Sequence, residues 1–361
     1  MKKILALVNS FVLAIGVNVQ SKDLVYHDAT QFPLYGTAVK NDSETYTRLP
    51  DSLKTKVRKE LYNLGTNTAG LYIRFSSNAR KMRVKWNSTF NVEMNHMTPT
   101  GIRGFDVYAL MDNGKWEFVS PARPVVNKKK CSATVFADMK PGMREYMMFF
   151  PLYDGVDSLY IGVDSAAVIE MPKVDLPKSE KPVVVYGTSI TQGGCATRPG
   201  MCHTSMLVRD LNREVYNLGF SGNGRLDLEV AEVMASIDAG LYVIDCLPNN
   251  KVDALKENID PFVQYLLSHR PEVPILFVES PLFPGCLFDR KEEGTLKEKN
   301  AALRDYYKKL KKQGVKNIYY YEAKDILTED REGTVDGYHF TDLGYYRLAK
   351  KMLPVIKKIL K

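Results

Sequence analysis

The stretch that decides the fold of this chain is Val183-Val184-Val185-Tyr186-Gly187-Thr188-Ser189-Ile190-Thr191. A short β-branched run that leads into a glycine and a serine is typical of a strand in an open parallel sheet. Loops at the carboxyl edge of such a sheet form the crevice in which ligands bind. We therefore expect Ser189 to lie at that edge, where it can act as the nucleophile of a serine hydrolase.

The chain after residue 180 alternates between strand-like and helix-like stretches. Strands are predicted at 183–186, 215–218, 241–246, 275–279 and 318–321, and helices near 202–213, 226–237, 252–268, 291–313 and 342–359. Helices of that length form the crossover connections that parallel strands require. The sequence therefore predicts a three-layer α/β/α sandwich around a five-stranded parallel sheet.

Short alternating runs dominate the chain upstream, at 71–75, 82–86, 105–110, 146–150 and 159–163. Turn signals such as Asp154-Gly155 separate them. Repeated runs of period two predict an antiparallel β-sandwich, jelly-roll-like, over residues 21–175. The stretch 171–182 is rich in proline and charge and is the predicted linker, so the α/β domain is expected to cover residues 176–361.

The N-terminus combines Met1-Lys2-Lys3 with a mostly apolar stretch over residues 4–19. This stretch is shorter than the roughly 20 apolar residues of a membrane-spanning helix, and it has the basic and apolar regions of a secretory signal. We expect residues 1–20 to be a signal peptide and the mature protein to be periplasmic or secreted, without stable membrane insertion. The alternative is an N-terminal structural strand or helix.

The overall composition indicates a folded protein. A chain of 361 residues with 45% apolar content can bury a large core. The formal net charge of +8 is spread over lysine clusters beside apolar residues at helical spacing. This pattern favours solvated helix faces over nucleic-acid binding, although a basic surface could favour acidic polymers. The oligomeric state stays open.

Five cysteines are too few and too scattered for a disulfide scaffold. Cys195 and Cys202 are close enough in sequence to bridge, and the odd count leaves at least one thiol free. The pair Cys202-His203 beside Cys195 suggests zinc, but a fourth ligand at suitable spacing is missing. We expect no metal and no cofactor.

A serine hydroxyl needs a neighbouring base to take its proton, and imidazole is the usual choice. Of the five histidines, His339 follows the fifth predicted strand and its loop, whereas the others lie outside such loops or begin a helix. Asp336 stands three residues earlier and could hold the tautomer of His339 that faces Ser189. The alternative reading of Asp336 is a turn cap beside Gly337.

Two loops could supply donors for the oxyanion that forms when a serine attacks an ester. The glycine-rich stretch 217–224 follows the second predicted strand, and Leu247-Pro248-Asn249-Asn250 follows the third. Taken singly, each could be only a turn or a cap. Their positions after successive strands predict that they converge near the serine.

These blocks together resemble the SGNH hydrolases, also called the GDSL lipase/esterase superfamily, over roughly residues 180–361. The resemblance implies a flavodoxin-like fold, a triad of Ser189, Asp336 and His339, and an oxyanion hole made by the Ser189 N–H, the Gly222 N–H and the Asn249 amide. The chain departs from the family pattern at Thr188, where many members carry Asp, and at Leu247-Pro248, where many carry glycines.

The run Gly104-Phe105-Asp106-Val107-Tyr108 resembles the G-x-D-L-Y signature of an N-terminal domain found in some bacterial SGNH esterases, many of them from Bacteroidetes. The alternative is an ordinary strand with one buried Asp. Aromatic residues of this half could stack on sugars, although burial in a core is the expectation for most of them: Tyr72, Trp86 and Trp116.

The combined reading is an exported carboxylic-ester hydrolase that forms an acyl-serine intermediate and deacetylates carbohydrate. Its expected partner is a small acyl ester or an acetylated glycan. The alternatives are a lipase or thioesterase of the same mechanism, a catalytically inactive carbohydrate-binding protein, and an acyltransferase.

Overall fold

The computed structural model describes residues 24–39, 46–175, 177, 180–327 and 330–361. The predicted signal peptide lies outside these residues. Ten strands precede residue 171: β1 Leu24–Asp28, β2 Leu34–Tyr35, β3 Tyr72–Ser77, β4 Met82–Ser88, β5 Phe105–Leu110, β6 Trp116–Ala122, β7 Lys130–Phe136, β8 Arg144–Phe149, β9 Val156–Asp164 and β10 Ile169–Glu170. They form two antiparallel sheets, one of order β1-β9-β4-β7 and one of order β10-β3-β8-β5-β6 with β2 paired to β3.

Alternation along the strands explains why these two sheets face each other. In β4, Met82, Val84 and Trp86 are buried, whereas Arg83 and Lys85 between them point away from the core. The buried set packs with side chains of the second sheet in one apolar cluster. The first half is therefore a β-sandwich, as the sequence predicts.

Five further strands form one parallel sheet of order β12-β11-β13-β14-β15. Their bounds are β11 Val183–Gly187, β12 Val215–Gly219, β13 Leu241–Asp245, β14 Ile275–Val278 and β15 Ile318–Tyr321. The helices of the chain are α1 Lys59–Gly65, α2 Pro99–Arg103, α3 Ser189–Gln192, α4 His203–Leu211, α5 Leu228–Ser236, α6 Val252–His269, α7 Arg290–Lys312 and α8 Asp342–Ile359.

Both faces of the parallel sheet are covered. Val183 and Val185 of β11 belong to the apolar cluster that contains α4 and α8, and Val184 and Tyr186 belong to the cluster that contains α5 and α6. Continuous burial of β11 follows, since a strand between two helix layers has no solvated face. The predicted α/β/α sandwich with five parallel strands is confirmed. None of the helices in the described ranges combines the length and apolar character needed to cross a bilayer.

One segment of the first half packs on the α/β half. Leu49, Leu53 and Leu61 are buried in the same cluster as Tyr186 and Leu218 of the parallel sheet. The stretch that carries α1 therefore contributes to the core of the α/β half, although it precedes most of the sandwich in sequence.

The G-x-D-L-Y stretch joins the two halves. Asp106 is fully buried and accepts hydrogen bonds from Arg198 Nη1 at 2.6 Å and from the Gly200 N–H at 2.8 Å. The Tyr108 hydroxyl accepts a further hydrogen bond from Arg198 Nη1 at 2.7 Å. Because these groups lie on β5 and on the loop that follows α3, the motif fixes that loop against the sandwich.

Candidate active site

Ser189 stands where β11 ends and α3 begins. The Thr188 side chain caps α3 by accepting a hydrogen bond from the Ile190 N–H at 3.3 Å. Gly187 permits the tight turn, because a Cβ there would lie 1.9 Å from Thr191 Oγ1. The N–H of Ser189 lies in the first turn of a helix, where backbone donors have no partner within the helix.

Ser189, His339 and Asp336 form a continuous hydrogen-bonded chain. His339 Nε2 lies 2.8 Å from Ser189 Oγ, and His339 Nδ1 lies 2.7 Å from Asp336 Oδ2. Serine and histidine are 150 positions apart in sequence, so the fold creates this contact. The arrangement is the one that lets an imidazole accept the serine proton while a carboxylate orients the ring.

Asp336 is held as an ionised acceptor. Its Oδ1 accepts hydrogen bonds from the backbone N–H groups of Tyr338 at 3.0 Å and His339 at 2.8 Å. Burial acts to raise the pKa of Asp336, but the hydrogen bonds from the His339 side chain and from the two backbone N–H groups outweigh it and lower the pKa to about 2. The carboxylate is therefore negative at neutral pH, and it also forms the turn cap that the sequence allowed as an alternative.

The two predicted oxyanion loops converge beside Ser189. The Phe220 N–H donates to Gly187 O at 3.1 Å, which attaches the first loop to the end of β11. Asn249 Oδ1 accepts from the Gly224 N–H at 3.3 Å, and this bond joins the two loops. Gly222 lies between Phe220 and Gly224 with a φ of 66° and is exposed.

Residues near these positions have different tasks. The Asn250 side chain donates to Gly224 O at 3.0 Å and to Cys246 O at 2.8 Å, so it links the two loops.

The aromatic residues considered for sugar stacking are mostly buried. Tyr72 and Trp86 are buried in cores, as expected, and Trp116 is half-buried.

The loop after α3 closes over the serine. Tyr345 on α8 donates from its hydroxyl to Gly194 O at 2.8 Å, and the Tyr153 hydroxyl from the sandwich half donates to Ser189 O at 3.2 Å. A Cβ on Gly194 would lie 3.1 Å from His339 Cδ2, so a larger residue would press on the imidazole. Close packing against Gly194 therefore restricts the position of the His339 ring on its buried side.

All five cysteines are free and buried, and Cys195 and Cys202 do not form a bridge. Among the described residues, His96, Cys195 and His339 form a possible metal-ligand group, with donor atoms within 4.8 Å of one another. Burial, followed by the nearby charge of Asp336, raises the pKa of Cys195 to about 12, which disfavours the thiolate that metals bind. Both nitrogens of His339 already have partners, so a metal there would compete with the triad. His203, the other candidate ligand, is fully buried, and burial lowers its pKa to about 3.

Three side chains around the site give no signal in the sequence. Gln192 on α3 accepts from the Ser221 N–H at 2.9 Å, and Arg48 and Arg58 contact the loop that carries Gly222. An arginine in an irregular segment has no periodicity or spacing that identifies its partner, because the partner lies far away in sequence. These contacts could be found only from the fold.

Comparison with known proteins agrees with the architecture of both halves. Residues 180–357 match the model of the GDSL-like lipase/acylhydrolase family, and residues 24–169 match the model described as the N-terminus of SGNH-hydrolase-type esterases, named GxDLY. A GDSL-like lipase from Bacteroides ovatus is 33% identical, with a TM-score of 0.88, over 94% of this chain and 98% of that one.

More distant structures share the fold. The salicylyl-acyltransferase SsfX3 of a tetracycline biosynthetic pathway has a TM-score of 0.76 at 15% identity, over 94% of this chain and 98% of that one. The acetyl xylan esterase Est2A of Butyrivibrio proteoclasticus has a TM-score of 0.57 at 11% identity, over 94% and 99%. A search of curated protein sequences gave no match. The chain belongs to the GDSL-like lipase/acylhydrolase family of SGNH hydrolases and carries the GxDLY type of N-terminal domain.

Proposed function

We propose that this protein is an exported esterase that removes short acyl groups, acetate in particular, from carbohydrate through an acyl-Ser189 intermediate. The observation that carries the proposal is the unbroken chain from Ser189 Oγ through His339 to Asp336, with spacings of 2.8 and 2.7 Å. Neither metal nor cofactor is required by this chemistry.

The reaction proceeds in two halves. His339 Nε2 takes the proton of Ser189 as Oγ attacks the ester carbonyl, and the same proton is then given to the leaving alcohol. A water molecule next loses a proton to His339 and attacks the acyl-serine, and that proton returns to Ser189 as the acid leaves. In both halves the N–H groups of Ser189 and Gly222 and the amide of Asn249 are assigned to the oxyanion.

The exposure of the site agrees with an ester substrate whose alcohol part is large. The side chains of Asp336 and His339 keep 35% and 26% of their surface exposed, so a polymer could reach the serine from this side. Tyr338, next to His339, is 47% exposed and packs its ring on Phe283 at 5.1 Å between centroids. An exposed, supported ring beside the base suits contact with a sugar face.

A cavity of about 710 Å³ is lined by Leu282, Phe283 and Cys286, among other residues, and by no triad residue. We assign it no part in binding the acyl group. Two structures of the same fold are named as carbohydrate esterases or acetyl xylan esterases, and this agrees with the proposed substrate class.

Activity and acyl preference are tested together. The assay compares three proteins: wild type, Ser189→Ala and the surface control Ser268→Ala. Each is tested on p-nitrophenyl esters of increasing chain length and on acetylated xylan, from which the released acetate is measured. We expect the highest kcat/KM at the shortest chains, acetate release from the glycan, and loss of both in Ser189→Ala only. Full activity of Ser189→Ala would refute the nucleophile, and a maximum at long chains would favour a lipase or thioesterase.

Acyl transfer is a second candidate, since SsfX3 shares the fold and is an acyltransferase. An open site admits an acceptor hydroxyl as readily as water. Adding an acceptor sugar to the ester assay separates the two: an esterase yields free acid alone, whereas a transferase yields an acylated sugar at the expense of acid. Glycan retention without either product would indicate an inactive binding protein.

Export is proposed from residues 1–20. Sequencing the N-terminus of the protein recovered from a periplasmic or culture fraction tests it, because cleavage should remove about 20 residues. Full-length protein confined to the cytosol would contradict it.

A further inference from the structure

The loop proposed to supply the Gly222 donor is held from outside the α/β half. We call residues 219–227 the oxyanion loop, and we call Arg48, Arg58 and Asn67 the N-terminal brace. The brace residues flank α1 in the segment whose leucines pack in the α/β core. Each of them reaches the oxyanion loop or a residue that contacts it.

Arg48 holds the start of the oxyanion loop. Its Nη1 donates to Gly219 O at 2.7 Å and to Asn217 O at 3.0 Å, and its Nε donates to Asn67 O at 2.7 Å. The side chain is 2% exposed, and its carbon Cζ lies 5.0 Å from the centre of the Phe220 ring. Among the described residues its hydrogen-bond acceptors are carbonyl and amide oxygens, with no carboxylate. Burial of a charged side chain is costly unless it is hydrogen-bonded, and the bonds that Arg48 makes tie these carbonyls to one place.

Arg58 holds the end of the same loop. Its Nη2 donates to both carboxylate oxygens of Asp227, at 2.9 and 2.8 Å, and its Nη1 donates to Asn223 Oδ1. The side chain of Arg58 is 34% exposed and that of Asp227 is 18% exposed. Arg58 Nε also donates to Asp227 Oδ1 at 3.2 Å, so two guanidinium nitrogens contact the carboxylate. Such a two-pronged contact fixes orientation as well as distance.

Asn67 acts on the middle of the loop through Gln192. Gln192 Nε2 donates to Asn67 Oδ1 at 3.1 Å, and Gln192 Oε1 accepts from the Ser221 N–H at 2.9 Å. Both the nitrogen and the oxygen of the Gln192 amide therefore have partners, and the Ser221 N–H is held by Gln192. Gly222 follows directly.

Gly222 itself is not packed. No heavy atom beyond its chain neighbours lies within 4 Å of the position that a Cβ would take. The direction of its N–H is consequently set by the flanking residues that the brace holds. Catalysis needs that donor in place before charge develops on the substrate oxygen.

We propose that Arg48 and Arg58 are positioning residues of the oxyanion hole, so that the N-terminal half of the chain sets the geometry of the Gly222 donor. This inference rests on the proposed function, and it gives the first half of the chain a task in the chemistry of the second.

The test compares two arginine variants with matched controls. Arg58→Gln is paired with Arg80→Gln, which removes a surface arginine bonded to Asp138 in the sandwich. Arg48→Gln is paired with Arg74→Gln, which removes a fully buried arginine bonded to Glu145. Arg58→Lys keeps the charge of Arg58 but loses the two-pronged contact. For each, kcat and KM are measured on p-nitrophenyl acetate, with activity normalised to the folded fraction.

A phenylboronic acid serves as a second probe, because its adduct with a serine places a hydroxyl where the oxyanion forms. Loss of a whole oxyanion donor costs about 10²–10³ in kcat, so loosening one should cost about tenfold. We expect Arg58→Gln and Arg48→Gln to lower kcat about tenfold and to weaken boronate binding by a similar factor, with KM nearly unchanged. Arg58→Lys should lie between wild type and Arg58→Gln.

Hydrogen exchange gives a readout that does not depend on turnover. Peptides covering residues 219–227 should exchange faster in Arg58→Gln than in wild type and in Arg80→Gln. Unchanged exchange in that peptide, or unchanged kcat and boronate affinity in Arg58→Gln, would overturn the positioning role. If wild-type protein hydrolyses no ester, the proposed function fails, and the exchange result still decides whether the brace holds the loop.

Discussion

Replacing Asp336 with Asn tests the triad most directly, because it keeps the shape of the side chain but exchanges one carboxylate oxygen for an NH₂ group, which removes the charge and turns an acceptor into a donor. Asp336 Oδ1 accepts from the Tyr338 and His339 N–H groups, and Oδ2 faces His339 Nδ1 at 2.7 Å. An Asn there keeps its oxygen toward the two backbone donors, since the reversed amide would lose two hydrogen bonds of about 1 kcal/mol each. Its NH₂ group then points at Nδ1.

The consequence is a histidine in the wrong tautomer. With a donor facing it, Nδ1 must be unprotonated, so the ring proton moves to Nε2, 2.8 Å from Ser189 Oγ. A protonated Nε2 cannot accept the serine proton. The equivalent change in serine proteases lowers kcat about 10⁴-fold, and we expect a similar loss here, about 5.4 kcal/mol of transition-state stabilisation at 1.36 kcal/mol per tenfold.

The assay is kcat and KM on p-nitrophenyl acetate for wild type, Asp336→Asn and the control Asp210→Asn. Asp210 bonds to Lys350 on the surface, so its replacement removes one carboxylate without touching the triad. KM should stay near the wild-type value in both variants, and circular dichroism should be unchanged. A kcat for Asp336→Asn within tenfold of wild type would refute the orienting role of Asp336.

Three further predictions concern the surroundings of the site. Asp106→Asn should lower the free energy of unfolding, measured in urea, by about 3 kcal/mol, because it leaves the Arg198 cation without its buried partner. Surface substitutions usually change this free energy by no more than about 0.5 kcal/mol, so a loss below about 1 kcal/mol would contradict the prediction. Burial lowers the pKa of His203 in the folded protein to about 3, so protonation favours the unfolded chain. The free energy of unfolding should therefore fall as the pH drops from 6.5 toward 3, by up to about 1.4 kcal/mol per pH unit. His203→Phe should reduce this dependence of stability on pH. Added Zn²⁺ should inhibit by competing for His339, and His96→Gln should raise the inhibitory concentration about tenfold, whereas equal inhibition of both proteins would place the ion elsewhere.

Much of the fold is local in origin and was therefore predictable. The strand predicted at 183–186 is observed at Val183–Gly187, one residue longer. It could be predicted because its β-branched residues and the glycine at its end are both visible in the sequence. β6 and β7 gave no such signal: β6 contains Pro121 and has an irregular burial pattern, and β7 begins in a lysine run. The order of the strands in the parallel sheet depends on which crossovers pack together, and no local pattern encodes it.

The candidate site divides in the same way. Ser189, Asp336 and His339 could be selected because each falls in a recognisable block after a strand, and the structure brings their side chains together. The stability of their arrangement depends on contacts of another kind. Arg48 and Asn217 are separated by 169 positions, and Arg48 stands in no motif. Their pairing follows only once α1 is seen to pack on the α/β core.

These contacts change how the two halves of the chain should be understood. A sandwich that only bound glycan could be tethered by a linker, and its residues would have no reason to be buried beside the catalytic loops. Here Tyr153 reaches the carbonyl of Ser189, Asp106 fixes the loop that follows it, and the two brace arginines hold the oxyanion loop at both ends. Preorganised donors are effective because they do not move when charge develops. If Gly222 donates to the oxyanion as proposed, rigid support of its loop contributes to catalysis, and the first half of the chain supplies much of that support.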